Sequence, residues 1–330
     1  MILLSVIIPF FNTFSRSEKV LKRIEESLKQ YSDVEFVLVD DGSEDDTLKQ
    51  LKQYFSKKEH SSLLKIIAQE NKGPGGARNT GIDISTGKYI WVVDSDDDFY
   101  IDNVYPDLQM DNDFDFIDYN YIEHGKNTNS MMLEDGNYYA NKVDLYKNLG
   151  RVVTKVFKRE FFVRNNIKYP EYCIYEDNYF IYMLPFFIKK FKKTTKLAYF
   201  YEDGVPSVTR TSGLSNRFYD RLLTSYDGLD FLVENNAWKG NVEAHRRFRE
   251  IFLFNTVKTV LKNFDMKKIK ILFFIFCTYN FLEEKFDISK NGVIVNKYNR
   301  VINIFKNIFP KKNYLSFFQE VNKKAWKINE

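Results

Sequence analysis

Continuous apolar runs alternate with amphipathic stretches over the first hundred positions of the chain. Residues 3–10 are almost wholly apolar, as a strand buried on both faces of a parallel sheet requires. Ser15 and Glu18 then have the spacing of a capping box ahead of Leu21, Ile24 and Leu28, which share one helix face. Residues 34–39 predict a second buried strand, ending at Asp40 and Asp41. Ser43 and Asp46 open a second helix, with Leu48, Leu51 and Phe55 on its stripe. Residues 63–68 and 89–93 predict a third and a fourth strand. This order predicts an α/β fold with a Rossmann-like, mostly parallel central sheet.

Beyond residue 110 the pattern changes. Residues 114–121 alternate as a strand does, 133–139 carry a turn at Asp135 and Gly136, and 143–149 predict a short helix. From Leu214 the period becomes helical, with Phe218, Leu222, Tyr226 and Leu229 on one face, then Phe248 and Phe252, then residues 269–282. A domain of residues 1–213 followed by a helical region of 214–330 is expected. Charge divides at the same place: 21 Lys and Arg against 12 Asp and Glu from Leu214 onward, and 28 against 33 before it. The basic half predicts contact with an anionic partner such as a membrane surface or a lipid-linked phosphate. Residues 269–282 contain Lys270 and fall short of the roughly 20 residues that a spanning helix needs. They read as an amphipathic helix, packed on the first domain or lying in a membrane interface.

Composition narrows the class. With 44% hydrophobic and 28% charged residues the chain is globular, not disordered. Its 31 Phe and 22 Tyr supply mainly core, with a share left for an interface or a sugar groove. Cys173 and Cys277 are far apart and lack CxxC spacing, which suggests neither a disulfide framework nor a zinc knuckle and fits a reducing, cytoplasmic compartment. The opening MILLSVIIPFF passes straight into a strand and lacks the features of a secretory signal. His60, His124 and His245 are isolated and read as surface or structural residues.

Candidate chemistry gathers at the predicted strand ends, where parallel sheets bind ligands. Asn12, Asp40 with Asp41, residues 71–76 and the cluster Asp94, Asp96, Asp97 and Asp98 would all meet along one edge. Four neighbouring carboxylates repel, and a divalent cation shared with an anionic substrate makes such a cluster useful. Asp40 and Asp41 suit a base imide and a ribose hydroxyl, or else a surface turn capped by Ser43; Asp45 and Asp46 read as helix N-terminal charges. Gly73, Gly75 and Gly76 permit close approach of a ligand to the backbone, and Arg78 can pair with a carboxylate or phosphate. The same glycines read equally as a plain loop before a helix.

Four motifs in this order, SVIIPFFN, VDDGSEDDT, NKGPGGARNTG and VDSDDD, resemble those of family 2 glycosyltransferases. Those are inverting enzymes of the GT-A fold that use nucleotide-diphospho-sugars. The resemblance implies a GT-A domain with a helical C-terminal region. It implies that Pro9, Phe11, Asn12, Asp40, Asp41, Gly73, Arg78, Asn79, Asp94 and Ser95 bind the nucleotide sugar. Asp96 is the implied metal ligand, with Asp94 beside it and nearer the ribose or donor sugar, for Mn2+ or Mg2+. In CIYEDNYFIYML, Glu176 and Asp177 resemble the ED motif, with Asp177 as the general base for an acceptor hydroxyl. Lys155 in TKVFKREFF is a substrate contact on the same ground, and Arg210 in SVTRTSG reaches the diphosphate; ordinary surface basicity is the alternative for both.

The implied reaction moves a sugar from UDP to a hydroxyl of a glycan or lipid-linked acceptor in bacterial surface-polysaccharide synthesis, capsule or lipopolysaccharide. The implied setting is cytoplasmic, peripheral on the inner face of the membrane, with a homodimer through the aromatic helical tail and no nucleic-acid partner. A sugar nucleotidyltransferase would carry a Gly-rich, Arg-containing loop where PFFNTFS stands, and a dehydrogenase would carry GxGxxG there. A non-catalytic glycan-binding or scaffold protein is the reading from another class, and the DxD and ED motifs argue against it.

Overall fold

The computed structural model describes residues 1–56, 62–110, 113–202 and 220–237. Arg210, the 269–282 segment and the rest of the expected basic region from 238 onward lie outside them. The chain forms two compact units: residues 1–172 with 187–206, and residues 173–186 with 207–330. The segment carrying Glu176 and Asp177, read from the sequence with the first domain, belongs to the second unit.

In the first unit, β1 (Leu4–Phe10) is central because its apolar run can be covered on both faces. It pairs in parallel with β2 (Val34–Asp40) and with β4 (Tyr89–Val92), and β3 (Leu64–Ala68) adds in parallel to β2. Pro9 has no N–H to donate. It falls two residues past Ile7, the last β1 residue in register with β4, where that ladder has ended. On one face α1 (Glu18–Gln30) buries Val20, Leu21, Ile24 and Leu28 against Leu4, Val6, Ile8 and Phe10. Each such side chain contributes roughly 1.5–3 kcal/mol when fully buried. On the other face lies α3 (Gly73–Ile84), drawn close by Gly81: a Cβ there would stand 2.2 Å from Ile7 Cγ2.

The order β3-β2-β1-β4 reverses direction at β1/β4, and the crevice at such a switch point is where open sheets bind ligands. Past β4 the sheet continues with β9 (Lys155–Lys158), antiparallel to both β4 and β6 (Phe116–Glu123). β10 (Lys190–Phe200) then runs parallel to β6, with β5 (Asp98–Phe99) and β8 (Gly136–Tyr139) antiparallel to it and β7 (Lys126–Thr128) antiparallel to β6. Three further helices complete the unit: α4 (Ile101–Leu108), α5 (Lys142–Asn148) and α6 (Arg159–Arg164). Trp91, Tyr89, Tyr119 and Tyr199 are fully buried, so these aromatic residues build core.

Two expected helix starts differ. Residues Phe14–Arg16 form a 3-10 turn, α1 begins only at Glu18, and Ser17 Oγ donates back to Thr13 O at 2.8 Å, so Ser15 and Glu18 form no capping box. Helix α2 (Thr47–Tyr54) has Asp46 at its N-cap, and Asp45 Oδ1 accepts from Thr47 N at 2.8 Å, while Ser43 Oγ accepts from Asn12 N at 3.0 Å and takes no part in the cap.

In the second unit α7 (Asp177–Phe187) and α8 (Asp220–Glu234) pack through Tyr179 and Phe186 on Phe231. Gly228 leaves room for the Tyr182 ring, which a Cβ would approach to 2.3 Å. Asp220 is fully buried and accepts from Ile174 N at 2.9 Å, fixing the turn before Glu176. Among the described residues no helix is long and apolar enough to cross a membrane.

At the amino edge of the first unit, buried Glu35 accepts from Ser5 Oγ at 2.6 Å, Thr86 N at 2.5 Å, Thr86 Oγ1 at 2.9 Å and Lys65 Nζ at 2.8 Å. Burial alone would raise its pKa, but the bonds from Lys65, Ser5 and Thr86 outweigh burial and hold it below the ordinary 4.5. The stability it contributes is therefore full above pH 4.5 and is lost as pH falls below that value and through the folded-state pKa. Glu35→Ala should cost about 2–3 kcal/mol at neutral pH, the penalty of leaving buried donors unpaired, and should flatten the acid limb of a urea-midpoint-against-pH curve.

Candidate active site

The carboxyl ends of β1, β2, β3 and β4 are tied together by polar side chains. Asn12, in the left-handed region at φ 51°, accepts at Oδ1 from Glu44 N at 2.9 Å and from Asp45 N at 3.3 Å. Thr13 Oγ1 lies 2.9 Å from Ser95 Oγ, joining the ends of β1 and β4. Asn12, Thr13, Ser43 and Ser95 thus hold three strand ends to one edge. Pro9 near the end of β1 and Phe11 just after it flank this edge, and Phe11 is exposed.

Asp40 and Asp41 are both buried at the end of β2. Asp40 Oδ2 accepts from Ser43 N at 3.2 Å, while its Oδ1 is buried without a hydrogen-bond partner. Asp41 Oδ1 accepts from Gln69 Nε2 at 2.7 Å and from Lys72 N at 2.9 Å. Burial raises the Asp41 pKa to about 6, against the lowering effect of the bonds from Lys72, Gln69 and Gly73. Gln69 Oε1 is a second buried acceptor without a partner. Such acceptors are costly unless a ligand or water donates to them.

Helix α3 begins at Gly73, whose φ is 80°, and presents its amino end to the same edge. Arg78 Nη2 donates to Asp94 Oδ1 at 2.9 Å, and its guanidinium lies 5.4 Å from the Tyr169 ring centroid. Buried Asn79 exchanges two bonds with the backbone of Tyr169: Nδ2 donates to Tyr169 O at 2.9 Å and Oδ1 accepts from Tyr169 N at 2.8 Å. Its amide is spent on the protein.

The four carboxylates after β4 separate by role. Asp97 is buried, accepting from Tyr199 Oη at 2.6 Å and Glu202 N at 2.9 Å; burial, then the charge of Asp94, raises its pKa to about 8. Asp98 pairs with Arg23 at 3.3 Å. Asp94 and Asp96 remain partly open to solvent, and Tyr199 Oη also accepts from Asp94 N at 3.3 Å. Two hard carboxylate donors at the mouth of a crevice fit Mg2+ or Mn2+, which take one or two protein carboxylates and fill the remaining positions with phosphate and water. Among the described residues no group of three or more His, Cys, Asp or Glu side chains converges as a self-sufficient metal site.

In the second unit, Glu176 is buried, whereas Asp177, the first residue of α7, is exposed. Tyr175 just before them is left-handed at φ 64°. Cys173 is buried in the same segment, and burial, then Glu176 and Asp220, pushes its thiol far above the ordinary range, so it is no nucleophile.

Residues 5–194 match the sequence profile of Glycosyl transferase family 2. The chain belongs to that family. Over 142 residues this family 2 chain is 34% identical to Glycosyltransferase GlyG of Streptococcus pneumoniae serotype 4, a match covering 42% of each chain. Over 233 residues it is 28% identical to Cholesterol galactosyltransferase of Borreliella burgdorferi, covering 64% of this chain and 62% of that one. The match thus spans less than two thirds of the length of these curated relatives. Among solved structures, S. aureus TarS 1–349 in complex with UDP-GlcNAc superposes with a TM-score of 0.69 over 100% of this chain and 93% of that one, at 17% identity. The likeness is one of fold, and it bears out the GT-A arrangement expected from the motifs.

One expected substrate contact of this family 2 chain is corrected. Lys155 is fully buried, donating to Asp118 Oδ1 at 2.8 Å and Arg151 O at 2.9 Å, so it reaches no ligand. Lys193, also fully buried, lies 3.4 Å from Asp118 Oδ2 and donates to Asn120 Oδ1 at 2.6 Å. Burial lowers the pKa of both lysines against the pull of Asp118. Gln69, Thr13 and Tyr199, by contrast, were not singled out from the sequence; only the spatial neighbours of Asp41, Ser95 and Asp97 reveal them. Asp118→Asn, which leaves two buried ammonium groups without a counter-charge, should destabilise the fold by about 3–5 kcal/mol in urea unfolding. Lys155→Met should cost less, because Lys193 then has Asp118 to itself, and it should leave nucleotide affinity unchanged.

Proposed function

We propose that the protein is an inverting glycosyltransferase that moves a sugar from a UDP-sugar to a hydroxyl of a glycan or lipid-linked acceptor in bacterial surface-polysaccharide synthesis. The observation that carries the reading is the meeting, at the switch point of one sheet, of buried Asp40 and Asp41, the α3 amino end with Arg78, and the half-open pair Asp94 and Asp96. Unfilled acceptors at Asp40 and Gln69 suit the donors of a nucleoside, and the neighbouring amino end of α3 suits a diphosphate. TarS binds UDP-GlcNAc in the superposed structure, which supports uridine as the nucleoside.

In this reading Asp41 accepts the uracil imide N–H, Asp40 and Gln69 take further nucleoside donors, and Asn12, Ser95, Pro9 and Phe11 shape the pocket wall. Gly73 and Arg78 hold the nucleotide sugar, with Asp94 oriented by Arg78. Mn2+ or Mg2+, held by Asp96 with Asp94 beside it, would offset charge that grows on the departing diphosphate. Asp177 removes the acceptor hydroxyl proton as that oxygen attacks the anomeric carbon from the face opposite the nucleotide. The C1–O bond to UDP breaks as the new C1–O bond forms, so the anomeric configuration inverts. Exposure of Asp177 and burial of Glu176 favour Asp177 for this role. Arg210 is assigned to the leaving diphosphate from its motif. The basic balance of residues 214–330 supports work at an anionic, cytoplasmic membrane face, and their aromatic content supports a homodimer.

A panel of nucleotide sugars with Mn2+ should identify a UDP-sugar that slowly releases UDP, with release falling at least about a hundredfold in Asp96→Ala and in Asp177→Asn. Equal release by wild type and both variants would remove the assigned roles. UDP-sugar affinity should also weaken as pH falls through about 6, because a protonated Asp41 no longer accepts freely. Titration calorimetry should find it about tenfold weaker at pH 5 than at pH 8, and nearly flat in Asp41→Asn. A UDP-sugar has no phosphate ionisation in that range to confuse the result.

A further inference from the structure

The turn that carries Asp94 and Asp96 is keyed to the protein interior at both of its ends by one phenol. Tyr199, fully buried near the end of β10, donates from Oη to Asp97 Oδ2 at 2.6 Å and accepts at the same oxygen from Asp94 N at 3.3 Å. A phenol has one proton to give and lone pairs to receive with, so both bonds form at once. Asp97 N closes the turn onto Asp94 O at 3.3 Å, and Asp97 Oδ1 accepts from Glu202 N at 2.9 Å. β5 then leaves the turn with Phe99 in register with Tyr199 itself. All of these groups belong to the first unit.

This support has a cost that core packing does not explain. Asp97 is a buried carboxylate whose oxygens, among the described residues, meet only these two neutral donors, while Arg78 goes to Asp94 and Arg23 to Asp98 on either side of it. An uncharged residue at position 97 would spare the fold that burial. What the carboxylate secures is the Tyr199 hydroxyl, and through it the amide that begins the turn. Resting on the cation reading above, we infer that Tyr199 is a positioning residue for Asp94 and Asp96, its hydroxyl fixing the turn that presents both carboxylates to Mn2+ or Mg2+. Being fully buried, Tyr199 acts only through them. Mg2+ in particular demands near-ideal geometry, and groups that orient ligating side chains from behind account for about 10- to 100-fold in metal affinity.

Tyr199→Phe keeps the ring and removes only the hydroxyl. With UDP saturating, Mn2+ titrations followed by the electron-paramagnetic-resonance signal of the free ion should give a Kd at least about tenfold weaker than wild type, whereas the Kd for UDP in EDTA stays within about twofold. Half-maximal release of UDP from the nucleotide sugar should need correspondingly more Mn2+. A lower melting temperature with Mn2+ affinity unchanged makes Tyr199 a core residue and overturns the inference. An equal loss of UDP affinity in EDTA also overturns it, because the crevice as a whole has then changed. If Tyr199→Phe fails a thermal-melt check, the comparison is made in an Asp97→Asn background, where no buried charge is left short of a donor. The hydroxyl should still be worth at least about fivefold in Mn2+ affinity there, through its bond from Asp94 N, and equal affinities with and without it overturn the inference. Wild type that takes up no Mn2+ beside UDP refutes the cation reading itself, and the inference falls with it.

Discussion

Gathering Asp40, Asp41, Asp94, Asp96 and Asp97 at one edge of a sheet is electrostatically unfavourable, and much of the first unit can be read as the means of keeping them there. Three of them meet the problem differently. Asp41 is held by Gln69 and Lys72 N yet still has its pKa raised to about 6; Asp97 is drawn into the interior by Tyr199 and raised to about 8; Asp94 takes the guanidinium of Arg78. Shifted carboxylates gathered in this way mark a candidate functional site.

The scaffold makes this concentration possible. β1 and β4 diverge in their connections at the switch point, which opens the crevice, and the strand ends are laced across it by Asn12, Ser43, Thr13 and Ser95. At the opposite edge Glu35 binds the starts of β1 and β2 to the end of α3. α3 links these demands, since Gly81 seats it on β1, Gly75 admits the Tyr169–Tyr172 segment, and Arg78 and Asn79 face two different partners from adjacent positions.

Much of this was legible in the sequence. The apolar runs of β1, β2 and β4 give strands directly, because a strand buried on both faces leaves no polar positions to disguise it. The polar residues that follow each run locate the site edge. What could not be read was any property that depends on a distant neighbour. Lys155 looks like a surface cation until Asp118 and Lys193 close over it, and the β9 strand that starts with it is set by pairing to β4 and β6. The partner of Asn79 was equally hidden: Tyr169, ninety positions on, takes both ends of its amide. Ser15 and Ser43 have the spacing of caps, but a 3-10 turn and the bond from Asn12 take precedence.

A crystal structure with UDP and Mn2+ bound tests the central claim most directly. The account predicts the uracil imide within hydrogen-bond reach of Asp41 and the cation between the diphosphate and Asp96. Nucleotide lodged away from the β1/β4 crevice, or a cation that avoids Asp96, would contradict it.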